Sequence, residues 1–209
     1  TGLSCRYNRM IEFGAVKVER GSIVSSFDTL INPGISIPKK ITQITHITND
    51  MIKDQPTTKE ALKQIVEYLE DAILVTHNAE FDINFINEEL KRNNMPILTN
   101  PVIDTLTLAR HLFPENRKFR LGDICRKMDI NYDSESAHRA DYDAQVLNDV
   151  WQAMLSLLLK DDVHLKHSDL EKLITPRELL KYIMPKHIVA LCKNKKGLKD
   201  LYKLVSIAH

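Results

Sequence analysis

The stretch THNAEFDINFINEEL, residues 76–90, decides how the rest of the chain is read. From Phe81 the apolar residues recur at helical spacing, with Phe85, Ile86 and Leu90 on one face. Asp82 lies on that same face, at offsets of three, four and eight residues from them. An apolar stripe that should pack on a sheet therefore begins with a carboxylate. Just before it stands AILVT, residues 72–76, a short unbroken apolar run of the kind a strand buried on both faces shows. A strand that runs straight into a helix predicts an α/β unit with the acid at its junction.

The flanking sequence extends the same pattern. RMIEFGAVKVERGSIVSSFDTLIN (9–32) reads as two strands joined by a turn at Gly21-Ser22, and Pro33-Gly34 ends the second. PTTKEALKQIVEYLE (56–70) reads as a helix, with Ala61, Ile65, Val66 and Leu69 at helical spacing. Downstream, 101–103 suggests a short strand, TLTLARHLF (105–113) a helix, 121–128 another, and 140–159 the longest. Strands alternating with helices after an opening hairpin predict the α/β class with a mixed sheet flanked by helices.

Beyond Lys160 the character changes. Residues 161–180 read as a charged linker with a helix, HIVALC (187–192) as a strand, and the end of the chain as a helix carrying Leu198, Leu201, Leu204 and Val205. One strand and one helix bury too little surface to stand alone, so residues 181–209 are expected to be a piece of another domain. The lysines from Lys193 to Lys203 read as a solvated helix face.

Composition sets broad bounds. The 209 residues are 43% hydrophobic and 27% charged, as in ordinary globular proteins, and the net charge of +1 gives no strong field toward a polyanion. Three widely spaced cysteines fit neither a disulfide framework nor a zinc site, and suit a reducing cytoplasm. No apolar run approaches a membrane span.

A second misplaced acid follows in SAHRADYDAQVLNDVWQAMLSLL (136–158). Asp143 shares a helical face with Leu147, Val150, Met154 and Leu158. Either acid alone reads equally well as a helix N-terminal carboxylate stabilised by the dipole. Two together favour a shared ligand, and hard oxygen donors suit Mg²⁺ or Mn²⁺. His138 stands five residues before Asp143, in the loop ahead of the helix, and histidine is the side chain best suited to take a proton near neutral pH.

THNAEFD and HRADYDA resemble the second and third motifs of the DEDDh (DnaQ-like) 3′→5′ exonucleases, which have a ribonuclease H-like fold. The branch that uses tyrosine would place it four residues before the acid, where this chain has Arg139. NPVIDTLTLARHLFP and GLKDLYKLVSIAH further resemble the PolC-type replicative polymerases, whose exonuclease is inserted in a PHP domain. The resemblance covers essentially the whole chain. It implies an exonuclease domain at 1–160, a linker at 161–180 and a partial PHP segment at 181–209. It also implies two divalent metal ions, Mg²⁺ or Mn²⁺, with Asp82 and Asp143 as ligands and His138 as general base. Gly2, Leu3, Ile47, Asn78 and Phe81 would contact the terminal nucleotide, although Phe81 also reads as core. His46 stands where this family usually has glycine, Asp104 reads as a helix cap, and Glu12 as a structural strand acid.

In such proteins the turn matching TGLS follows a strand that carries two further acidic ligands. This chain opens on that turn, so the first strand is expected to be truncated and the 209 residues to have little activity alone. The expected partners are a single-stranded or frayed DNA 3′ end and the polymerase and PHP parts of a longer chain. A stand-alone nuclease acting on RNA or short oligonucleotides, and a non-catalytic interaction module, are the alternatives.

Overall fold

The structure, a computed structural model, describes residues 1–133 and 139–161. His138, the 181–209 segment and all of the expected linker but Asp161 lie outside the described residues.

Strands β1 (Glu12–Glu19) and β2 (Ser22–Leu30) form an antiparallel hairpin. Its turn is Arg20-Gly21 rather than Gly21-Ser22. Both turn residues have positive φ, 51° and 81°, which matches the right-handed twist of the flanking strands. Helices α1 (Lys39–Thr45) and α2 (Asn49–Ile52) follow, and then α3 (Thr58–Leu69). A reciprocal cap starts α3: Glu60 N–H donates to the Thr57 hydroxyl at 3.4 Å, and Thr57 N–H donates to the Glu60 carboxylate at 2.8 Å.

Next come β3 (Leu74–Thr76), α4 (Ala79–Arg92), β4 (Val102–Asp104), α5 (Thr105–Leu112), α6 (Leu121–Lys127) and α7 (Ala140–Asp161). Strands β3 and β4 pair in parallel, Thr76 opposite Asp104. The expected single mixed sheet is thus found as two two-stranded sheets, with no strand joining β1 to β3 among the described residues. Each strand consequently keeps one edge without a ladder partner there. β3 is half-buried rather than buried throughout, whereas β4 is buried at all three positions.

The core lies in three clusters. The largest packs α3 and α4 against the hairpin, with Leu62, Ile65, Ala79 and Leu90 at 0% exposure. A second sits beneath α7, where Val150 and Met154 meet Ala109, Ile124 and Cys125. The third joins Ile11 to Ile37, Ile47 and Ile52. Burying each such side chain contributes roughly 1.5–3 kcal/mol. Helix α7 lies on β1 because Gly14 permits it: a Cβ at Gly14 would meet the backbone of Ala140 and Asp141 at 2.4–2.6 Å.

Candidate active site

The junctions at the C-terminal ends of β3 and β4 build the site. β3 ends at Thr76 and α4 begins at Ala79, with His77 and Asn78 between them and Asn78 in the left-handed region (φ 77°). Asparagine tolerates that conformation better than most residues. The amide of Asn78 donates to Asp104 Oδ1 at 3.0 Å, so the end of β4 holds the bend after β3. Asp104 also caps α5, accepting from Leu106 N–H at 2.9 Å and from the Thr107 hydroxyl at 3.2 Å.

Asp82 lies in the first turn of α4 and accepts a hydrogen bond from the Thr76 hydroxyl. Phe85, Ile86 and Leu90 on its face are buried, as the stripe predicts. Burial pushes the Asp82 carboxyl up to about 6; the Thr76 hydrogen bond pulls it back in part, and the charges of Asp104 and Asp143 push it up further. Charges at the end of β4 and in the first turn of α7 therefore act on the Asp82 carboxyl of α4. Asp143 enters from the first turn of α7. Tyr132 beside it has a phenol pushed up to about 12, by burial first and then by the Asp143 charge.

The start of α7 is fixed by Glu12 on β1. Glu12 accepts from the Arg139 guanidinium at 2.9 Å and from the Ala140 amide at 3.0 Å. Arg139 follows His138 in the chain, so this pair anchors the segment where the expected proton acceptor attaches. A second tie joins the opening turn to α4. Glu89, fully buried, accepts from Arg9 at 2.8 and 3.1 Å, from the Met10 amide at 3.2 Å and from Arg92 at 3.4 Å. Arg92 also donates to the carbonyls of Cys5 and Arg6, both at 2.7 Å, and of Asn8 at 3.0 Å.

His77 makes the third tie. Its Nε2 lies 2.7 Å from the Phe119 carbonyl and its Nδ1 lies 3.0 Å from the Thr105 hydroxyl. Burial lowers its pKa, against the opposing pull of the Phe119 carbonyl and the Asp104 charge. In the neutral ring the Nε2–H donates to Phe119, since a carbonyl can only accept.

The remaining residues named from sequence are spread unevenly. Leu3 is 83% exposed and Phe81 39% exposed, its ring tilted by 49° against Phe85 with centroids 4.9 Å apart; Gly2 and Asn78 are half-buried. Ile47 has 0% exposure and belongs to the third core cluster, so its side chain presents no surface to a ligand. Sequence reading missed Thr76, His77, Arg139 and Glu89, because their partners lie far away in the chain or in polar-looking stretches. It treated Glu12 as structural and Asp104 as a cap, and both have such contacts.

Among the described residues, no group of three or more His, Cys, Asp or Glu is arranged to hold a metal ion. The Asp82–Asp143 pair nevertheless has suitable chemistry for one: hard oxygen donors whose mutual repulsion a divalent cation would relieve.

An exonuclease family model matches residues 1–151. Over 210 residues the chain is 39% identical to the DNA polymerase III PolC-type of Clostridium perfringens, an alignment covering all of this chain and 14% of that protein. The chain thus spans a small part of the curated relatives it matches. Among solved structures, it resembles an exonuclease X in complex with 5′ overhanging duplex DNA (TM-score 0.56, 23% identity, 78% of this chain and 89% of that one). It also resembles the nuclease domain of 3′hExo, described as a DEDDh family member bound to rAMP (TM-score 0.61, 17% identity, 76% of this chain and 84% of that one). These two likenesses show the fold, an α/β ribonuclease H-like architecture. The 151 matched residues run from the opening turn through both acid-bearing motifs and most of α7, and on that match the chain belongs to the exonuclease family.

Proposed function

We propose that these residues are the exonuclease part of a PolC-type replicative polymerase, removing nucleoside monophosphates from DNA 3′ ends as a proofreader. The observation that carries this reading is the placing of Asp82, Asp104 and Asp143 at one end of the sheets, where Thr76 pairs with Asp104 and holds Asp82, and where burial first and then the other two charges push the Asp82 carboxyl up. Mutually repelling acids beside an open strand end suit a phosphodiester approached through cations. Two divalent ions, Mg²⁺ or Mn²⁺, would supply charge to the developing transition state and a more acidic water. Asp82 and Asp143 would bind them, together with two acids from a further strand. His138 would accept the attacking water's proton, on a segment anchored by Glu12 and Arg139. Leu3, Gly2, Asn78 and Phe81 would flank the terminal nucleotide, with Ile47 bracing its own segment from the core. A mispaired terminus unstacks at least cost, which gives such a site its preference for errors.

On this reading residues 181–209 are PHP-domain sequence after a linker at 161–180. The family model ends at residue 151 while the PolC-type relative aligns with the entire chain, which supports a boundary there. Unpaired Cys5 and Cys125 fit a cytoplasmic setting.

The test is single-turnover release of mononucleotides from 5′-labelled single-stranded DNA, by the 209-residue chain and by one lengthened with the acid-bearing strand. The longer chain is expected to be active and the shorter one nearly inert. In the longer chain His138→Ala should cost about 10²–10⁴-fold in rate and spare metal binding. Asp143→Asn should lower metal binding and rate together. A His138→Ala rate within a few-fold of the parent would remove the histidine from the chemistry, and an inert longer chain would leave the interaction-module reading.

A further inference from the structure

The 113–120 loop, FPENRKFR, joins α5 to α6 and carries four basic or acidic side chains whose roles the nuclease chemistry does not use. It is pinned at both ends. At one, Lys127 Nζ lies 5.7 Å from the Phe113 ring centroid and pairs with Glu115 at 2.9 Å. At the other, the Arg110 guanidinium lies over the Phe119 ring at 5.9 Å, and His77 donates to the Phe119 carbonyl at 2.7 Å. Glu115, the loop's one acid, is thereby neutralised. Arg117, Lys118 and Arg120 remain exposed, and no carboxylate among the described residues pairs with them.

Their position gives this charge a purpose. His77 stands between Thr76, whose hydroxyl holds Asp82, and Asn78, whose amide donates to Asp104 at 3.0 Å. The cations are therefore tethered beside the carboxylate centre. An acidic peptide would bring carboxylates to carboxylates there. A nucleic-acid strand does not meet that conflict, since its phosphates pair with the loop while its end approaches the acids through divalent cations.

We propose that Arg117, Lys118 and Arg120 form a phosphate-contacting rim that holds the single strand leading to the carboxylate centre. The inference rests on the nuclease reading. A protein loses about 0.7 in the slope of log K against log salt for each phosphate contact to a single strand that is removed. Removing three contacts should flatten the slope by about 2, so the rim's share of affinity falls about 20-fold between roughly 50 and 200 mM salt.

The experiment is fluorescence anisotropy of a labelled, nuclease-resistant oligothymidine strand on the 209-residue chain with Mg²⁺, across that salt range. Arg117→Ala/Lys118→Ala/Arg120→Ala is compared with Lys53→Ala/Lys59→Ala/Lys63→Ala, which removes equal charge from exposed positions elsewhere. Thymidine monophosphate binding, measured by calorimetry, reports on the carboxylate centre separately. The rim variant should show the flattened slope, the control variant the parental one, and both should bind the mononucleotide as the parent does. Arg117→Ala alone should give about one third of the change, which guards against misfolding of the triple variant. The proposal is overturned if the parent binds no strand, if the rim variant keeps the parental slope, if the control flattens equally, or if polyglutamate of matched charge competes as well as DNA. Absence of mononucleotide binding in the chain lengthened with the acid-bearing strand, with strand binding still dependent on the rim, would overturn the nuclease reading and leave the rim standing.

Discussion

Replacing Asp82 by asparagine is expected to stabilise the metal-free chain at neutral and alkaline pH. The folded protein holds the Asp82 carboxyl at about 6, against an ordinary value of 3.8, through burial and then through Asp104 and Asp143. Between those two values the folded state binds more protons than the unfolded state. Stability from this group is therefore complete below pH 3.8 and is lost as pH rises through 6. About two pKa units at 1.36 kcal/mol each correspond to roughly 3 kcal/mol of strain in the ionised form. Asparagine has the same shape, can still accept from the Thr76 hydroxyl and never ionises. In EDTA at pH 8 the variant should melt higher by about 6–12 °C, at roughly 2–4 °C per kcal/mol for a chain of this size. At pH 4 the two proteins should nearly coincide. The assay is thermal unfolding by circular dichroism across pH 4–8, repeated with millimolar Mg²⁺. Magnesium should raise the parent more than the variant, which keeps Asp143 but lacks the second charged donor at position 82. A difference that is constant with pH, or a variant less stable than the parent at pH 8, would refute the account of a crowded carboxylate centre.

Gly14→Ala should destabilise by about 1–3 kcal/mol or shift α7 away from β1, since the new Cβ meets helix backbone at 2.4–2.6 Å; chemical denaturation measures the first and the loss of Asp143 coupling to Asp82 the second. Glu89→Gln should cost about 3–5 kcal/mol, because two arginines lose the buried charge they share, and the opening turn should exchange its amides faster with solvent. Thr57→Ala breaks the reciprocal cap of α3 and should cost about 1 kcal/mol in urea unfolding with no effect on metal binding.

The long elements were legible in sequence where apolar periodicity is strong, as in α3, α4 and α7. The seven-residue α1 was not, since it buries no side chain and so writes no stripe into the chain. Asp82 and Asp143 were legible for the converse reason: each breaks a stripe that is otherwise apolar. The supports of the site were hidden. Glu12 and Arg139 lie 127 residues apart, and Arg9 and Glu89 lie 80 apart, so no local pattern announces either pair. Glu89 reads as one more acid in an Asn-Glu-Glu run, yet it is the one at 0% exposure. The division into two small sheets was equally invisible, because strand pairing depends on which edges meet and periodicity does not encode that.

Helix α7 also sets a distance. Its 22 residues extend about 33 Å at 1.5 Å per residue, with Asp143 in the first turn and Asp161 at the far end. The chain leaves the helix at Asp161, about 27 Å along its axis from Asp143. The helix is thus a rigid spacer as well as a packing element. It holds the first-turn carboxylate and the point where the chain leaves the helix well apart along one axis.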